Sequence, residues 1–144
     1  MKNINICIAG LGTVGSNVIS TIENTNKLIL KKTNSNFKII GISAKNKNKN
    51  RIFDINKYTW FDNPLDLIKK TNCDIFIELI GEEKGLSFDL VKLALENKIN
   101  VVTANKALLA NNGLELFKIA EKNKVSLLYE AAVAGGIPII KTLK

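Results

Sequence analysis

The 144-residue chain contains no histidine. That absence removes the Ser-His-Asp triad, the Cys-His pair, imidazole-ligated zinc and every imidazole acid or base. Any proton transfer falls to lysine, a carboxylate, tyrosine, cysteine or water. Aromatic residues make up only 6%, so a core must be assembled from Ile, Leu, Val and Ala. Arginine is reduced to Arg51, and the rest of the 21 basic residues are lysines. Readers of base edges rely on arginine forks, and single-strand binders on aromatic platforms. Without either, the formal charge of +8 argues for an anionic small molecule or a lysine-coated surface, and against nucleic acid. The two cysteines, Cys7 and Cys73, lie in or beside apolar runs and read as reduced, buried, inert thiols. The first apolar run, Ile4 to Ala9, is too short for a signal peptide or a membrane span. The expectation is a cytoplasmic protein with no membrane partner.

What is present is a globular composition: 46% hydrophobic and 24% charged residues over the length of one ordinary domain. Ile4 to Ala9 reads as a strand ending at glycine. Val14, Val18, Ile19, Ile22 and Ile29 recur at helical spacing from Thr13 to about Leu30, with Asn24, Thr25 and Asn26 weakening the middle enough to end the helix early. Phe37 to Ile42, Asp74 to Ile80, Ile99 to Val102 and Val125 to Tyr129 read as further strands. Residues 44–56, rich in Lys and Asn, read as a mobile loop. Asn63-Pro64 starts a helix, and Ser87 caps another that runs to about Asn97. Lys106 to Asn123 is a helix pair or one helix broken at Asn111-Asn112-Gly113. Strands alternating with helices imply an α/β fold, a Rossmann-type doubly wound parallel sheet that binds ligands at the carboxyl ends of its strands.

Gly10-Leu11-Gly12-Thr13-Val14-Gly15 is the sharpest local pattern. It matches G-x-G-x-x-G directly after a strand and directly before a helix, the context a dinucleotide pyrophosphate requires. Gly10 allows the turn, Gly12 the approach of the phosphates, and Gly15 close helix packing. Free N–H groups around Thr13 and Val14 hold the anion. The end of the second strand, Gly41-Ile42-Ser43-Ala44-Lys45, has no carboxylate for the 2′-hydroxyl of NAD. Ser43 and Lys45 suit a 2′-phosphate instead, which favours NADP(H) and leaves NAD(H) as the alternative.

Two more stretches stand out. Val101-Val102-Thr103-Ala104-Asn105-Lys106 follows the fourth strand at the ligand edge. Spacing leaves Lys106 equally a site lysine, tuned by partial burial, or a solvated residue at a helix start. In Tyr129-Glu130-Ala131-Ala132-Val133-Ala134-Gly135-Gly136-Ile137-Pro138, Glu130 precedes a loop with little side-chain bulk. Locally it reads as a loop cap or as the carboxylate of an oxygen site for a hard cation.

Together, G-L-G-T-V-G, F-I-E-L-I-G at 76–81, V-V-T-A-N-K-A-L-L-A at 101–110 and Y-E-A-A-V-A-G-G-I-P-I-I at 129–140 resemble homoserine dehydrogenase in residues and in order. The resemblance spans the chain but only about the first third of the family's usual length. It implies hydride transfer between L-aspartate 4-semialdehyde and L-homoserine, in the biosynthesis of threonine, methionine and isoleucine. It implies that Gly10, Leu11, Gly12, Thr13, Val14 and Gly15 hold the cofactor pyrophosphate. Lys45 stands where many members carry an arginine, Thr103 near the nicotinamide ribose, and Lys106 between cofactor and substrate as the catalytic lysine. Glu130, with the carbonyls of Val133, Gly135 and Ile137, is similar to the family's sodium site.

The same resemblance divides the chain into a cofactor domain, 1–130, and the beginning of a catalytic and dimerisation domain, 131–144. The residues that grip the substrate match nothing here. The 144-residue chain is therefore expected to be a fragment, inactive alone, of a full-length protein expected to be a homodimer. Three other readings compete. The first is another dehydrogenase on the same fold, acting on aspartate or aspartate semialdehyde; the latter needs a nucleophilic cysteine at a ligand-side strand end, and neither cysteine is there. A non-catalytic nucleotide sensor has no reason to carry the second and third motifs. An interaction protein has only the lysine loop 44–51 in its support, and that reads more simply as solvated loop.

Overall fold

A computed structural model describes residues 1–81 and 85–133. Five parallel strands form one sheet in the order β2-β1-β3-β4-β5. They are β1 (Lys2–Ala9), β2 (Ser35–Ser43), β3 (Ile75–Glu78), β4 (Asn100–Thr103) and β5 (Leu127–Leu128). The helices are α1 (Thr13–Thr33), α2 (Asp66–Lys69), α3 (Leu86–Glu96) and α4 (Lys106–Asn123). The α/β doubly wound expectation holds, and the reason is visible along β1. Ile6 and Ile8 pack with Ile19 of α1 on one face, whereas Cys7 and Ala9 pack with Leu67, Leu90, Val91 and Leu108 on the other. Alternate residues of a strand point to opposite faces, so a strand covered on both sides must be apolar throughout.

The elements differ from the sequence expectation where tertiary contacts override local propensity. The first helix does not end at Asn24-Thr25-Asn26. Asn26 Nδ2 donates to the Phe37 carbonyl at 3.0 Å, and its Oδ1 accepts from the Phe37 amide at 3.0 Å, which ties α1 to β2. A residue that weakens an isolated helix here completes the edge of the sheet. The helix stops instead at Asn34, left-handed at φ 53.

The fourth helix is likewise unbroken. Gly113 costs about 1 kcal/mol relative to Ala within a helix, but it continues a buried stripe with Leu108, Leu116 and Ala120. Across that stripe, Lys92 of α3 meets Glu115 at 2.8 Å. Nor does Ser87 cap its helix: the N-cap is Gly85, at φ 82, and Ser87 is a buried residue of the first turn.

The lysine-rich stretch 44–56 is folded upon itself. The Arg51 guanidinium donates to the carbonyls of Asn46, Lys47 and Lys49 and lies 5.6 Å from the centre of the Trp60 ring. Trp60 is placed by an isolated parallel bridge to Ile42, with the Ile42 amide donating to the Thr59 carbonyl and the Phe61 amide to that of Ile42, both at 2.9 Å. The crossover from β2 to β3 thus runs back along the end of β2.

Candidate functional site

The sheet order places β2 on one side of β1 and β3 on the other, so the crevice between their carboxyl ends is the switch point where such sheets bind ligands. A cavity of about 720 Å³ lies there. Its floor is Gly10, Leu11 and Gly12 at the exit of β1, with Ser43 and Lys45 at the exit of β2 and Leu79 and Ile80 beyond β3.

The glycines of the turn are required for different reasons. Gly10 has φ +97, and a Cβ on it would lie 2.3 Å from the carbonyl carbon and oxygen of Leu79. A Cβ on Gly15 would lie 2.0 Å from the Gly10 carbonyl oxygen. These two positions close β1, β3 and α1 onto each other. At Gly12 a Cβ would meet no heavy atom within 4 Å, so this backbone faces the open cleft. Gly12 is also the N-cap of α1; it has no side chain to bond the first amides, and the first turn holds no acidic residue. The positive end of α1 is therefore left for an external anion.

The far end of the cavity is cationic. Among the described residues, Lys45, Lys47, Lys49 and Arg51 line it, against one carboxylate, Asp62. That carboxylate accepts from Trp60 Nε1 at 2.8 Å. Lys47 Nζ lies 5.9 Å from the Trp60 ring centre, beside Arg51 on the same indole. Arg51 Nε is buried without a hydrogen-bond partner. Bare backbone beside α1, an indole wall and four cations fit a phosphorylated nucleotide.

Not every expected residue lines this cavity. Gly10, Leu11, Gly12 and Lys45 do; Thr13, Val14, Gly15, Thr103 and Lys106 do not. Thr13 and Val14 are exposed on the first turn of α1. Thr103 is fully buried, and its hydroxyl donates to Glu78 Oε2 at 2.6 Å. Lys106 is the first residue of α4, just after the helix cap Asn105, whose Oδ1 accepts from the Leu108 amide at 3.0 Å. It is exposed, without the partial burial that one of the two readings of its spacing required: it occupies the first turn of a helix, where the chain leaves the sheet. Among the expected cation ligands, Glu130 opens a 3₁₀ turn (Glu130–Ala132) and is half-buried, and the Val133 amide donates to its carbonyl at 3.2 Å. Gly135 and Ile137 lie outside the described residues.

Several residues around the cleft escape a reading by motif. Arg51 and Trp60 belong to a stretch that looks like solvated loop. Glu78 sits fully buried at the end of β3. Its signal was a lone charge inside D-I-F-I-E-L-I, since a buried charge needs partners.

Both cysteines are buried and unpaired by disulfide, and neither lines the cavity. Contact with the Cys73 thiol, whose own hydrogen bond goes to the Ile75 carbonyl, draws the Cys7 thiol below its ordinary range against the effect of burial, and the Thr71 hydroxyl 3.4 Å away acts in the same direction. The same contact, then burial, pushes Cys73 up. Neither is placed as a nucleophile at the ligand edge. Among the described residues, no helix is long and apolar enough to cross a membrane.

The family model described as "Homoserine dehydrogenase, NAD binding domain" matches residues 10–130. Homoserine dehydrogenase of Neisseria gonorrhoeae is 37% identical over 144 residues, all of this chain and 33% of that protein. The homoserine dehydrogenase of Bacillus subtilis is 38% identical, again over all of this chain and 33% of its own length. In a solved structure of Staphylococcus aureus homoserine dehydrogenase at pH 7.5, the match covers 93% of this chain and 34% of that one, with a TM-score of 0.86 and 37% identity. The homoserine dehydrogenase from Thermoplasma acidophilum matches 99% of this chain and 47% of its own, with a TM-score of 0.78 and 30% identity. The chain spans about a third of the length of the curated relatives it matches.

Proposed function

The chain belongs to the homoserine dehydrogenase family, and from that premise we propose that residues 1–130 bind a nicotinamide dinucleotide, NADP(H) in preference to NAD(H). The observation that carries this reading is the open backbone at Gly12, at the uncapped start of α1, facing a cavity with four cations at its far end. Gly12 and the first amides of α1 suit the diphosphate; Gly10 and Gly15 hold the turn that presents them. Ser43 and Lys45 suit a 2′-phosphate, because residues 41–45 at the exit of β2 hold no carboxylate to bind a bare ribose.

Bound there, the cofactor would supply or accept the hydride exchanged with an aldehyde or alcohol carbon. The chain's own contribution is to orient and to manage a proton. Lys106, three residues beyond the end of β4, can donate from its ammonium to an oxygen gaining charge in reduction, and its amine can accept in oxidation. Thr103, with its hydroxyl turned into the protein, offers only backbone to a nearby ribose.

The full reaction, between L-aspartate 4-semialdehyde and L-homoserine in threonine, methionine and isoleucine synthesis, is proposed for a polypeptide in which 131–144 begins a catalytic and dimerising domain. That polypeptide would be a cytoplasmic homodimer. The stretch at 130–137 suits a sodium ion by its donors, one carboxylate and backbone carbonyls.

Titration of the 144-residue chain with NADPH and with NADH, followed by nicotinamide fluorescence, tests the cofactor reading. Saturable binding of NADPH, tighter than NADH by about tenfold or more, is expected. Equal affinity removes the 2′-phosphate assignment, and no binding of either removes the cofactor reading. In the complete polypeptide, Lys106→Ala should abolish most turnover while cofactor binding persists.

A further inference from the structure

The Glu78 side chain is completely buried, yet its four polar contacts among the described residues reach three separate segments. Oε1 accepts from the Ile80 amide at 2.9 Å, the Gly81 amide at 3.4 Å and the Ser87 hydroxyl at 3.1 Å. Oε2 accepts from the Thr103 hydroxyl at 2.6 Å. Thr103 Oγ1 in turn accepts from the Asn105 amide at 3.0 Å, and Asn105 caps α4, whose first residue is Lys106. The two ends are already register partners, Glu78 opposite Thr103. On the other side, Ile80 and Leu86, which flank the Oε1 contacts in sequence, line the cavity.

A strand this short does not need a buried charge to hold its place. The neighbouring residues Phe76 and Ile77 are apolar and buried, and hydrophobic residues there would satisfy the core without desolvating a carboxylate. What the carboxylate adds is a fixed relation between the cavity wall at Ile80 and the turn that carries Lys106. Resting on the cofactor reading above, we propose that Glu78 is a positioning residue: acting through Thr103, it presets the β4–α4 turn for the nicotinamide half of the cofactor. The adenosine half, at the Lys45–Arg51 end, does not depend on it.

Glu78→Gln tests this selectively. A glutamine can keep its carbonyl oxygen towards Ile80, Gly81 and Ser87, but turns an NH₂ group towards Thr103, whose own proton then has no acceptor. Thr103→Val cuts the same link from the other side, and Thr103→Ser retains it. Two ligands are titrated into the 144-residue chain: NADPH, and adenosine 2′,5′-bisphosphate, which carries only the adenosine half. Glu78→Gln and Thr103→Val should each weaken NADPH by about tenfold and leave the bisphosphate within about twofold, with Thr103→Ser close to wild type.

Equal weakening of both ligands, or unchanged NADPH affinity in a folded variant, overturns the proposal. If neither variant folds, amide spectra of the wild-type chain decide it. Addition of NADPH must then shift Asn105 and Lys106 where the bisphosphate does not, and no such difference overturns the proposal. A wild-type chain that binds neither ligand overturns the cofactor reading itself, a result distinct from either of these.

Discussion

Gly15 approaches Gly10 so closely that a Cβ on the former would lie 2.0 Å from the carbonyl oxygen of the latter. Backbone cannot yield as a flexible side chain can. Gly15→Ala should therefore destabilise the chain by about 3 kcal/mol or more, at the upper end of overpacking effects. Gly12→Ala meets nothing within 4 Å and should leave the thermal midpoint within a few degrees of wild type while sharply weakening NADPH. Calorimetry and titration on the two variants check the split. Equal damage to stability at both positions would contradict the separate roles assigned to the glycines.

The single arginine has a structural task at the cationic end of the cavity. Arg51→Ala removes the donor shared by the Asn46, Lys47 and Lys49 carbonyls and the cation over Trp60. Limited proteolysis should then cut faster within 44–52, and NADPH should bind several-fold more weakly. Lys45→Glu should leave proteolysis unchanged but lose NADPH affinity far more than NADH affinity. Equal losses for both cofactors with Lys45→Glu would detach this residue from the 2′-phosphate.

Burial, with the Glu23 carboxylate accepting from its hydroxyl, pushes the Tyr58 phenol above its ordinary range near 10. A raised folded value means that the stabilisation is complete below about pH 10. It is then lost as pH climbs through the folded value. Tyr58→Phe should cost about 1 kcal/mol at neutral pH, the worth of an ordinary hydrogen bond. The gap between wild type and variant should narrow over the interval above about pH 10. Urea midpoints measured across that interval check it, and a constant gap would count against the assignment.

The thiols give a simpler expectation. Cys7 is 0% and Cys73 8% exposed, so Ellman's reagent should label neither in the folded chain and both in guanidinium chloride. Rapid labelling of Cys7 under native conditions would reopen a nucleophilic cysteine and the semialdehyde dehydrogenase reading with it.

Much of the fold was readable because it rests on strong local physics. The apolar run Ile4–Ala9 and the glycine turn that follows leave little room for anything but strand, turn and helix. Errors came where side chains of weak local preference are used at long range. Asn26 reads as a helix breaker until its bonds to Phe37 are seen, and Ser87 reads as a cap until its hydroxyl is found on Glu78. The glycine turn was legible from spacing alone. The opposite rim was not, because Arg51 and Trp60 meet only through the fold of the crossover, and no periodicity records that.

The most direct test of the central claim is a ¹H–¹⁵N spectrum of the chain titrated with NADPH. Diphosphate cradled at the start of α1 predicts saturable shifts at the amides of Gly12, Thr13 and Val14, with smaller ones at Lys45 and Ile80. Shifts confined to the lysines of 45–49, without saturation at the glycine turn, would mean loose attraction of an anion to a basic surface and would contradict the account.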